Sequence, residues 1–257
     1  MTLVMGILNV TPDSFSDGGQ FLDPAKAIAR GLEMMEEGAT IIDVGGESTK
    51  PGVERVSMDE ELSRVIPVIH ALSKAGAMVS VDTMRAEVAA LAVASGARII
   101  NDVSGGLADE AMHATAVALK AQFICMHWRG QSKNMDSLAV YDDVTSEVIA
   151  ELTKQVASAL LAGIEPTRLV IDPGLGFAKN AEQNWELLRN IDKFKELGFP
   201  ILVGGSRKRF LGGNDPLERE SASIALTTWL ATKDIWGVRT HTVKPHVDAI
   251  RTVGQIA

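Results

Sequence analysis

The sequence is poor in cysteine and lacks long apolar runs. Cys125 is the only cysteine among 257 residues, which excludes an internal disulfide and a cysteine cage for a metal. No uninterrupted apolar run reaches the roughly 18 residues of a membrane span. The start of the sequence also lacks the charged and then apolar segments of a secretion signal. We therefore expect a cytoplasmic protein in a reducing compartment, with no membrane partner.

Basic residues are also fewer than acidic ones. Acidic residues number 33 and basic residues 25, which gives a formal net charge of −8. Proteins that bind nucleic acids usually present a net basic face, so we expect no nucleic-acid partner. An anionic small substrate is still compatible with this balance, because a few local cations suffice to bind it. The remaining composition, 46% hydrophobic and 23% charged, is typical of a globular protein.

Short apolar segments alternate with longer amphipathic ones along the whole sequence. The nearly continuous apolar runs predict parallel strands that are buried on both faces, at 4–8, 40–44, 78–81, 98–100, 122–126, 168–171, 200–203 and 235–238. The predicted helices lie between and after them, at 24–37, 58–75, 85–95, 109–120, 143–162, 181–196, 219–232 and 245–255. Eight such units predict a (β/α)8 TIM barrel over residues 1–257 as a single domain. A doubly wound open sheet is the structural alternative.

Polar side chains follow every predicted strand. Active sites of such barrels lie at the carboxyl ends of the strands, where this sequence has Asn9, Asp43, Asp82, Asn101, His127, Asp172, Ser206-Arg207-Lys208, and Arg239 with His241. Some Asp and Asn residues at these positions serve only as helix caps, and capping is the alternative role for Asp82 and Asn101. Polar residues at all eight ends exceed what capping needs. The pattern predicts a site for a polar, partly anionic ligand.

Four segments carry a resemblance to a known family. They are Asn9-Val-Thr-Pro-Asp-Ser-Phe-Ser-Asp17, Asp43-Val-Gly-Gly-Glu-Ser-Thr-Lys-Pro-Gly52, Asp172-Pro-Gly-Leu-Gly-Phe177 and Gly204-Gly-Ser-Arg-Lys208. Together they resemble the dihydropteroate synthases of folate biosynthesis, over residues 4–253. The resemblance implies joining p-aminobenzoate to 6-hydroxymethyl-7,8-dihydropterin diphosphate, which gives 7,8-dihydropteroate and releases diphosphate. It also implies sulfonamides as competitors and a homodimer.

The resemblance assigns a pterin pocket to residues at the strand ends. Asp172 is expected to accept hydrogen bonds from the N–H donors of the pterin edge. Asn101 and Lys208 are expected to bind the other polar groups of that edge, and Asp82 to lie at the far edge of the ring. Asp43 is included among the substrate-binding positions. Fixed carboxylates there are expected to stabilise a pterin-methyl cation electrostatically after early loss of diphosphate.

A second part of the implied site binds the diphosphate. Arg239 and His241 are expected to hold the leaving group, and Asn9 to bind Mg²⁺, which prefers oxygen ligands. Asp13 and Asp17 are weaker candidates to assist at the metal. The alternative for His241 is a structural histidine at a strand end. The implied catalytic set is Asp82, Asp172, Lys208, Arg239 and His241.

The third part would bind p-aminobenzoate. Phe15 and Pro51 are expected to sandwich its ring, Ser206 to donate to its carboxylate, and Thr49 to contact the diphosphate substrate. Lys50 occupies a position where the family usually has arginine. Lysine keeps the charge but loses the planar two-pronged donor, so we expect weaker anion binding there.

Two other functions compete with the implied one. A pterin-dependent methyltransferase barrel would share the Asp and Asn pattern but would have no use for 206–208 or for 49–51. A non-catalytic pterin-binding partner would not need Asn9, Arg239 and His241. Both alternatives are therefore disfavoured by residues that serve only the leaving group or p-aminobenzoate.

Overall fold

The computed structural model describes residues 1–11, 23–47, 55–131 and 134–256. Eight parallel strands lie within these residues: β1 (Leu3–Asn9), β2 (Ile41–Gly45), β3 (Val79–Asp82), β4 (Ile99–Asp102), β5 (Gln122–Met126), β6 (Leu169–Asp172), β7 (Leu202–Val203) and β8 (Gly237–Thr240). They run in the order β6-β5-β4-β3-β2-β1-β8-β7. A parallel bridge between Ile171 and Ile201 joins the two outer strands. The predicted barrel is confirmed, and the open-sheet alternative is wrong because both sheet edges are joined.

Helices connect the strands on the outside. They are α1 (Pro24–Glu36), α2 (Met58–Lys74), α3 (Ala86–Ala94), α4 (Met112–Leu119), α5 (Val144–Leu161), α6 (Ala181–Arg189), α7 (Ile191–Lys195), α8 (Glu220–Ala231) and α9 (Lys244–Ile256). Short 3-10 turns occur at Met135–Leu138, Pro166–Arg168, Arg209–Leu211 and Pro216–Arg219. None of the helices in the described ranges is long and apolar enough to cross a membrane.

Two predicted helices differ from the observed ones. The helix predicted at 181–196 is divided at Asn190, whose φ of −103° is not helical and whose side-chain amide donates to the Glu186 carbonyl at 3.0 Å. The helix predicted at 109–120 begins only at Met112. Asp109 lies before it because its carboxylate accepts from the backbone N–H groups of Ala86, at 2.8 Å, and Ala111, at 3.0 Å. In both places a short polar side chain binds the backbone in competition with the helix.

The last strand lies two residues later than predicted. The sequence predicts it at 235–238, whereas β8 covers Gly237–Thr240. Its position is set by pairing with β1, in which Leu3 lies opposite Gly237 and Met5 opposite Arg239. Arg239 is therefore part of the barrel wall and not of the loop after it.

The core of the described residues has three clusters, one inside the barrel, one between barrel and helices, and a small third one of Met84, Val103 and Met126. The inner cluster consists of Met5, Ile41, Ile99, Ile124, Val170 and Leu202. The outer cluster is larger and joins the outward faces of the strands to α1–α9, with Phe123 and Phe194 among its fully buried members. The inner apolar layer fills the barrel below the carboxyl ends of the strands.

Candidate active site

The alternation of side chains along each strand places the site residues inside the barrel. Side chains two residues apart along a strand share a face. Two positions after the inward-facing Ile41, Ile99 and Val170 come Asp43, Asn101 and Asp172, all buried. The sequence therefore changes from apolar to polar on the same inner face at one height, which creates a polar chamber above the apolar layer.

Arg239 of β8 takes part in a hydrogen-bond network with side chains of β2, β3 and β4. Its Nε donates to Asp43 Oδ2 at 2.6 Å, and its Nη2 donates to Asp82 Oδ2 at 2.7 Å. Asn101 Nδ2 donates to the same oxygen of Asp43 at 2.9 Å. Asp43 has no exposed surface, so it lies behind Asn101 and Arg239. Asp43 thus supports Asn101 and Arg239, and its contact with substrate stays a prediction.

Asp82 does not act as a helix cap. The residue at the start of α3 is Arg85, which has no side-chain capping bond, and its backbone N–H donates instead to Thr83 Oγ1 at 3.1 Å. The Asp82 carboxylate faces Arg239. Burial raises the pKa of Asp82 to about 7 against the attraction of Arg239, and neighbouring Asp43 adds to the rise. Asp82 is therefore a carboxylate whose charge changes near neutral pH.

Asp172 is held by the turn that follows β6. Its Oδ1 accepts from the backbone N–H of Gly174 at 2.7 Å, and the side chain is buried. Burial raises the pKa of Asp172, opposed first by that N–H and then by Lys208. Gly174 has φ of +69°, and a Cβ there would lie 2.6 Å from the carbonyl oxygen of His127. Only glycine fits this turn without displacing the strand that precedes His127.

Lys208 lies against the same turn. Its Nζ donates to the carbonyl of Leu175 and lies 4.3 Å from the ring centroid of Phe177. Burial lowers the pKa of Lys208 to about 8, although Asp172 raises it. The motif 172–177 therefore supplies Asp172 for a ligand and also supports the predicted cation. The contact of Phe177 with Lys208 could not be predicted from the sequence, although Phe177 belongs to one of the family motifs.

Ser206 and His241 form a pair at the ends of β7 and β8. The Ser206 hydroxyl accepts from the backbone N–H of His241 at 3.2 Å and lies 3.1 Å from Nδ1 of its ring. Burial lowers the pKa of His241 to about 3, with a further contribution from Arg239. The ring is therefore neutral at pH 7. The tautomer with its proton on Nε2 would accept from the hydroxyl through Nδ1, and the other tautomer would donate to the hydroxyl from Nδ1. Any bond from Ser206 to a ligand carboxylate would replace the one to His241.

Arg207 separates Ser206 from Lys208 in the sequence but points elsewhere. Its φ of +58° is left-handed, and its Nε donates to Glu220 Oε2 at 2.8 Å. Glu220 Oε1 also accepts from the Thr242 hydroxyl. The pair Arg207–Glu220 thus ties the loop after β7 to the residues after β8. No pattern in the sequence indicated Glu220.

Asn9 is the last residue of β1 and lies opposite Gly45 of β2. It is partly buried, and its amide oxygen is of the type that Mg²⁺ prefers. The described parts of the chain contain no group of three or more His, Cys, Asp or Glu side chains arranged for a metal. One neutral oxygen fits a metal that obtains its other ligands from a diphosphate and water. It does not fit a metal held by protein alone.

Several predicted site residues lie outside the described ranges. They are Asp13, Phe15, Asp17, Thr49, Lys50 and Pro51. The structure therefore brings together Asp43, Asp82, Asn101, Asp172, Lys208 and Arg239, with Ser206 and His241 beside them. The predicted p-aminobenzoate contacts stay predictions.

Comparison with known proteins gives a consistent result. The family model described as pterin binding enzyme matches residues 5–241. The dihydropteroate synthase of Mycobacterium leprae is 49% identical over 261 residues, with 98% of this chain and 92% of that protein covered.

Solved structures agree with the sequence match. The dihydropteroate synthase of Xanthomonas albilineans with 4-aminobenzoic acid has a TM-score of 0.93 at 41% identity, over 99% of this chain and 93% of that one. The structure of the same enzyme with 7,8-dihydropteroate has a TM-score of 0.90 at 39% identity, with the same shares covered. The Yersinia pestis enzyme in a sulfonamide drug complex has a TM-score of 0.93 at 37% identity, over 99% of this chain and 94% of that one. The chain belongs to the pterin binding enzyme family, among the dihydropteroate synthases.

Proposed function

We propose that this chain condenses 6-hydroxymethyl-7,8-dihydropterin diphosphate with p-aminobenzoate, giving 7,8-dihydropteroate and diphosphate in folate biosynthesis, with residues 1–257 as one pterin-binding domain. The observation that carries the proposal is the cluster of buried Asp172, Asn101 and Asp82 with the partly buried Arg239 at the barrel mouth, together with Lys208. Membership of the dihydropteroate synthases over nearly the whole chain supports the same reaction.

The pterin ring fits the donor and acceptor pattern of this cluster. Asp172 offers carboxylate oxygen to the N–H donors of the pterin edge. Asn101 must present its NH₂ group to Asp43, because a carboxylate only accepts, and this leaves its Oδ1 and its second N–H for the ligand. Hydrogen bonds to charged groups contribute about 1.5–3 kcal/mol each. The ring is therefore oriented by groups that are fixed before it binds.

The diphosphate fits the cations at the end of β8. Within the described residues, Arg239 Nη1 makes no hydrogen bond while Nε and Nη2 bind Asp43 and Asp82. That nitrogen is available to a phosphate oxygen, and the neutral ring of His241 can add a hydrogen bond from Nε2. When Mg²⁺ is bound with the diphosphate, Asn9 would supply one ligand and the metal would neutralise charge on the leaving group.

The reaction then proceeds by displacement at the pterin methylene. The bond from carbon to the diphosphate oxygen breaks, and its electron pair leaves with diphosphate. Asp82 and Asp172 stabilise the positive charge that spreads into the pterin ring. The amine of p-aminobenzoate forms the new carbon–nitrogen bond and releases one proton, which needs no strong base because the ammonium formed is acidic.

Assay of the purified protein tests this function. With Mg²⁺ and both substrates, we expect formation of dihydropteroate and its competitive inhibition by a sulfonamide against p-aminobenzoate. Asp172→Ala and Lys208→Ala are expected to abolish binding of the pterin diphosphate. Phe15→Ala is expected mainly to raise the KM for p-aminobenzoate. A wild-type protein that forms no product would contradict the proposal, and equal effects of Phe15→Ala on both KM values would contradict the ring sandwich.

The quaternary state and location are part of the proposal. We propose a cytoplasmic homodimer, which the family resemblance implies. Size-exclusion chromatography with light scattering tests the dimer, since a mass near that of one chain at micromolar concentration would contradict it.

A further inference from the structure

A second buried cluster lies behind the pterin turn and takes no part in the function proposed above. Lys179 is 8% exposed, and its Nζ makes three contacts of hydrogen-bond length. It donates to the carbonyls of Gly174 and Phe177, both at 3.0 Å, and lies 2.9 Å from His127 Nδ1. An ammonium group has three N–H donors, so all of them are engaged inside the protein.

The acceptor on His127 is fixed by this geometry. On a neutral ring Nδ1 accepts from Lys179 and the ring proton resides on Nε2, because the carboxylate of Glu151 can only accept from Nε2. That nitrogen lies 2.9 Å from Glu151 Oε2. Glu151 in turn accepts from Arg129 Nε at 2.9 Å. His127 itself has no exposed surface. The result is a chain of directed hydrogen bonds from a half-exposed carboxylate on α5 to the turn after β6.

The charges within this chain are shifted by their surroundings, and burial lowers the pKa of Lys179 to about 7. Burial lowers the pKa of His127 to about 4, and Lys179 adds to the shift. The imidazole is therefore neutral and able to accept. The hydrogen bond from His127 and the contacts with Arg129 lower the pKa of Glu151 to about 2 against burial. Glu151 stays a carboxylate at all pH values of interest.

The segment that Lys179 binds has a costly backbone conformation. Gly174, Gly176 and Ala178 have φ of +69°, +75° and +48°. A left-handed residue other than glycine costs about 1–2 kcal/mol, so Ala178 keeps its conformation only where contacts enforce it. Because Lys179 follows Ala178 directly, the left-handed turn is what returns its ammonium to the carbonyls of its own segment.

The same segment builds the pterin pocket. It supplies the carboxylate of Asp172, the carbonyl of Leu175 that accepts from Lys208, and the ring of Phe177 beneath the Lys208 ammonium. The backbone N–H of His127 also donates to the Asp172 carbonyl at 2.9 Å. A shift of the turn would thus displace Asp172 and Lys208 together.

We propose that Lys179 is a positioning residue, which through His127 holds segment 172–179 in the one conformation that presents Asp172 and Lys208 to the pterin ring. The inference rests on the proposed function for the identity of the ligand. It concerns a residue that touches neither substrate, so its effect must appear in pterin binding and not in binding of p-aminobenzoate.

The test compares Lys179→Met with Lys154→Met. Methionine keeps the length of the side chain but has no donor, and Lys154 is an exposed lysine of α5, so the second variant controls for loss of charge. For Lys179→Met we expect the KM for pterin diphosphate to rise at least tenfold (about 1.4 kcal/mol). The KM for p-aminobenzoate, measured at saturating pterin diphosphate, is expected to stay within twofold. Lys154→Met is expected to match the wild type, and Lys179→Arg to recover part of the loss because it restores donors.

Two outcomes would overturn the inference. One is a folded Lys179→Met protein whose KM for pterin diphosphate stays within twofold of the wild type. The other outcome is measured on the wild-type protein, so it can be obtained even if Lys179→Met fails to fold. Nitrogen-15 NMR of the wild-type histidines at pH 7 should show His127 neutral with its proton on Nε2, and a proton on Nδ1 would exclude the bond from Lys179. An inactive wild type would reject the proposed function, whereas an active wild type with either outcome would reject only the positioning role.

Discussion

Replacement of Asp43 by asparagine separates support of the site from contact with substrate. One oxygen of Asp43 accepts from both Asn101 and Arg239. Asparagine can place its own oxygen there, so the shape is kept while the charge is lost. Hydrogen bonds to a charged group contribute about 1.5–3 kcal/mol and neutral ones about 1 kcal/mol. Two weakened bonds therefore remove about 1–4 kcal/mol, and we take about 2 kcal/mol because Arg239 retains Asp82.

That loss has a kinetic equivalent. If Asn101 and Arg239 bind the pterin diphosphate, about 2 kcal/mol corresponds to a roughly 30-fold fall in kcat/KM for this substrate. Steady-state kinetics with each substrate varied in turn measures it, and urea denaturation measures the accompanying loss of stability. The KM for p-aminobenzoate is expected to change little.

A matched control is provided by Ser80, which lies opposite Asp43 on β3. It is fully buried, and its hydroxyl has no hydrogen-bond partner within the described chain. Ser80→Ala is therefore expected to leave kcat/KM unchanged and not to lower stability. The reasoning would be refuted if Asp43→Asn kept kcat/KM within threefold of the wild type, or if Ser80→Ala reduced it as much.

Three other predictions concern the same chamber. Asp82 has its pKa raised to about 7, so kcat/KM for pterin diphosphate is expected to fall as pH drops below about 7. In a pH profile over roughly pH 5 to 9, Asp82→Asn should remove this acidic fall. An unchanged fall in the variant would contradict the assignment to Asp82. Gly174→Ala is expected to lower the free energy of unfolding by about 2–4 kcal/mol, as measured by urea denaturation. Gly76 also has positive φ but has open space around it, so Gly76→Ala is expected to cost only about 1 kcal/mol. Equal losses for the two variants would exclude the clash at Gly174. Phe177→Leu removes the ring beneath Lys208 and should raise the KM for pterin diphosphate about fivefold (~1 kcal/mol), and a change confined to p-aminobenzoate would contradict this.

The barrel and the height of the site were predictable from the sequence because their signals are local. A buried parallel strand reads as a short apolar run, and the first polar residue on its inner face marks where the chamber begins. Asp43, Asn101 and Asp172 all follow this rule. The boundary of β8 was not predictable, because Ile235 and Trp236 continue the apolar run and only pairing with Leu3 and Met5 sets the register.

The roles within the chamber depend on distances that the sequence does not contain. The prediction for Ser206 considered a ligand carboxylate and missed His241 as the partner of the hydroxyl. Lys179 was not singled out at all, because a single lysine after a Gly-Phe-Ala segment carries no periodic signal. Its meaning depends on His127, which lies 52 residues earlier in the chain.

The sequence by itself determined the eight alternating units, the polar residue at the end of each strand and the family motifs, since each is fixed by neighbours within a few positions. Only the tertiary structure decided which of those polar residues bind one another. Asp43 and Arg239 are 196 positions apart and meet at 2.6 Å because β1 pairs with both β2 and β8. One oxygen of that fully buried carboxylate binds Asn101 and Arg239, whereas its other oxygen has no hydrogen-bond partner within the described chain.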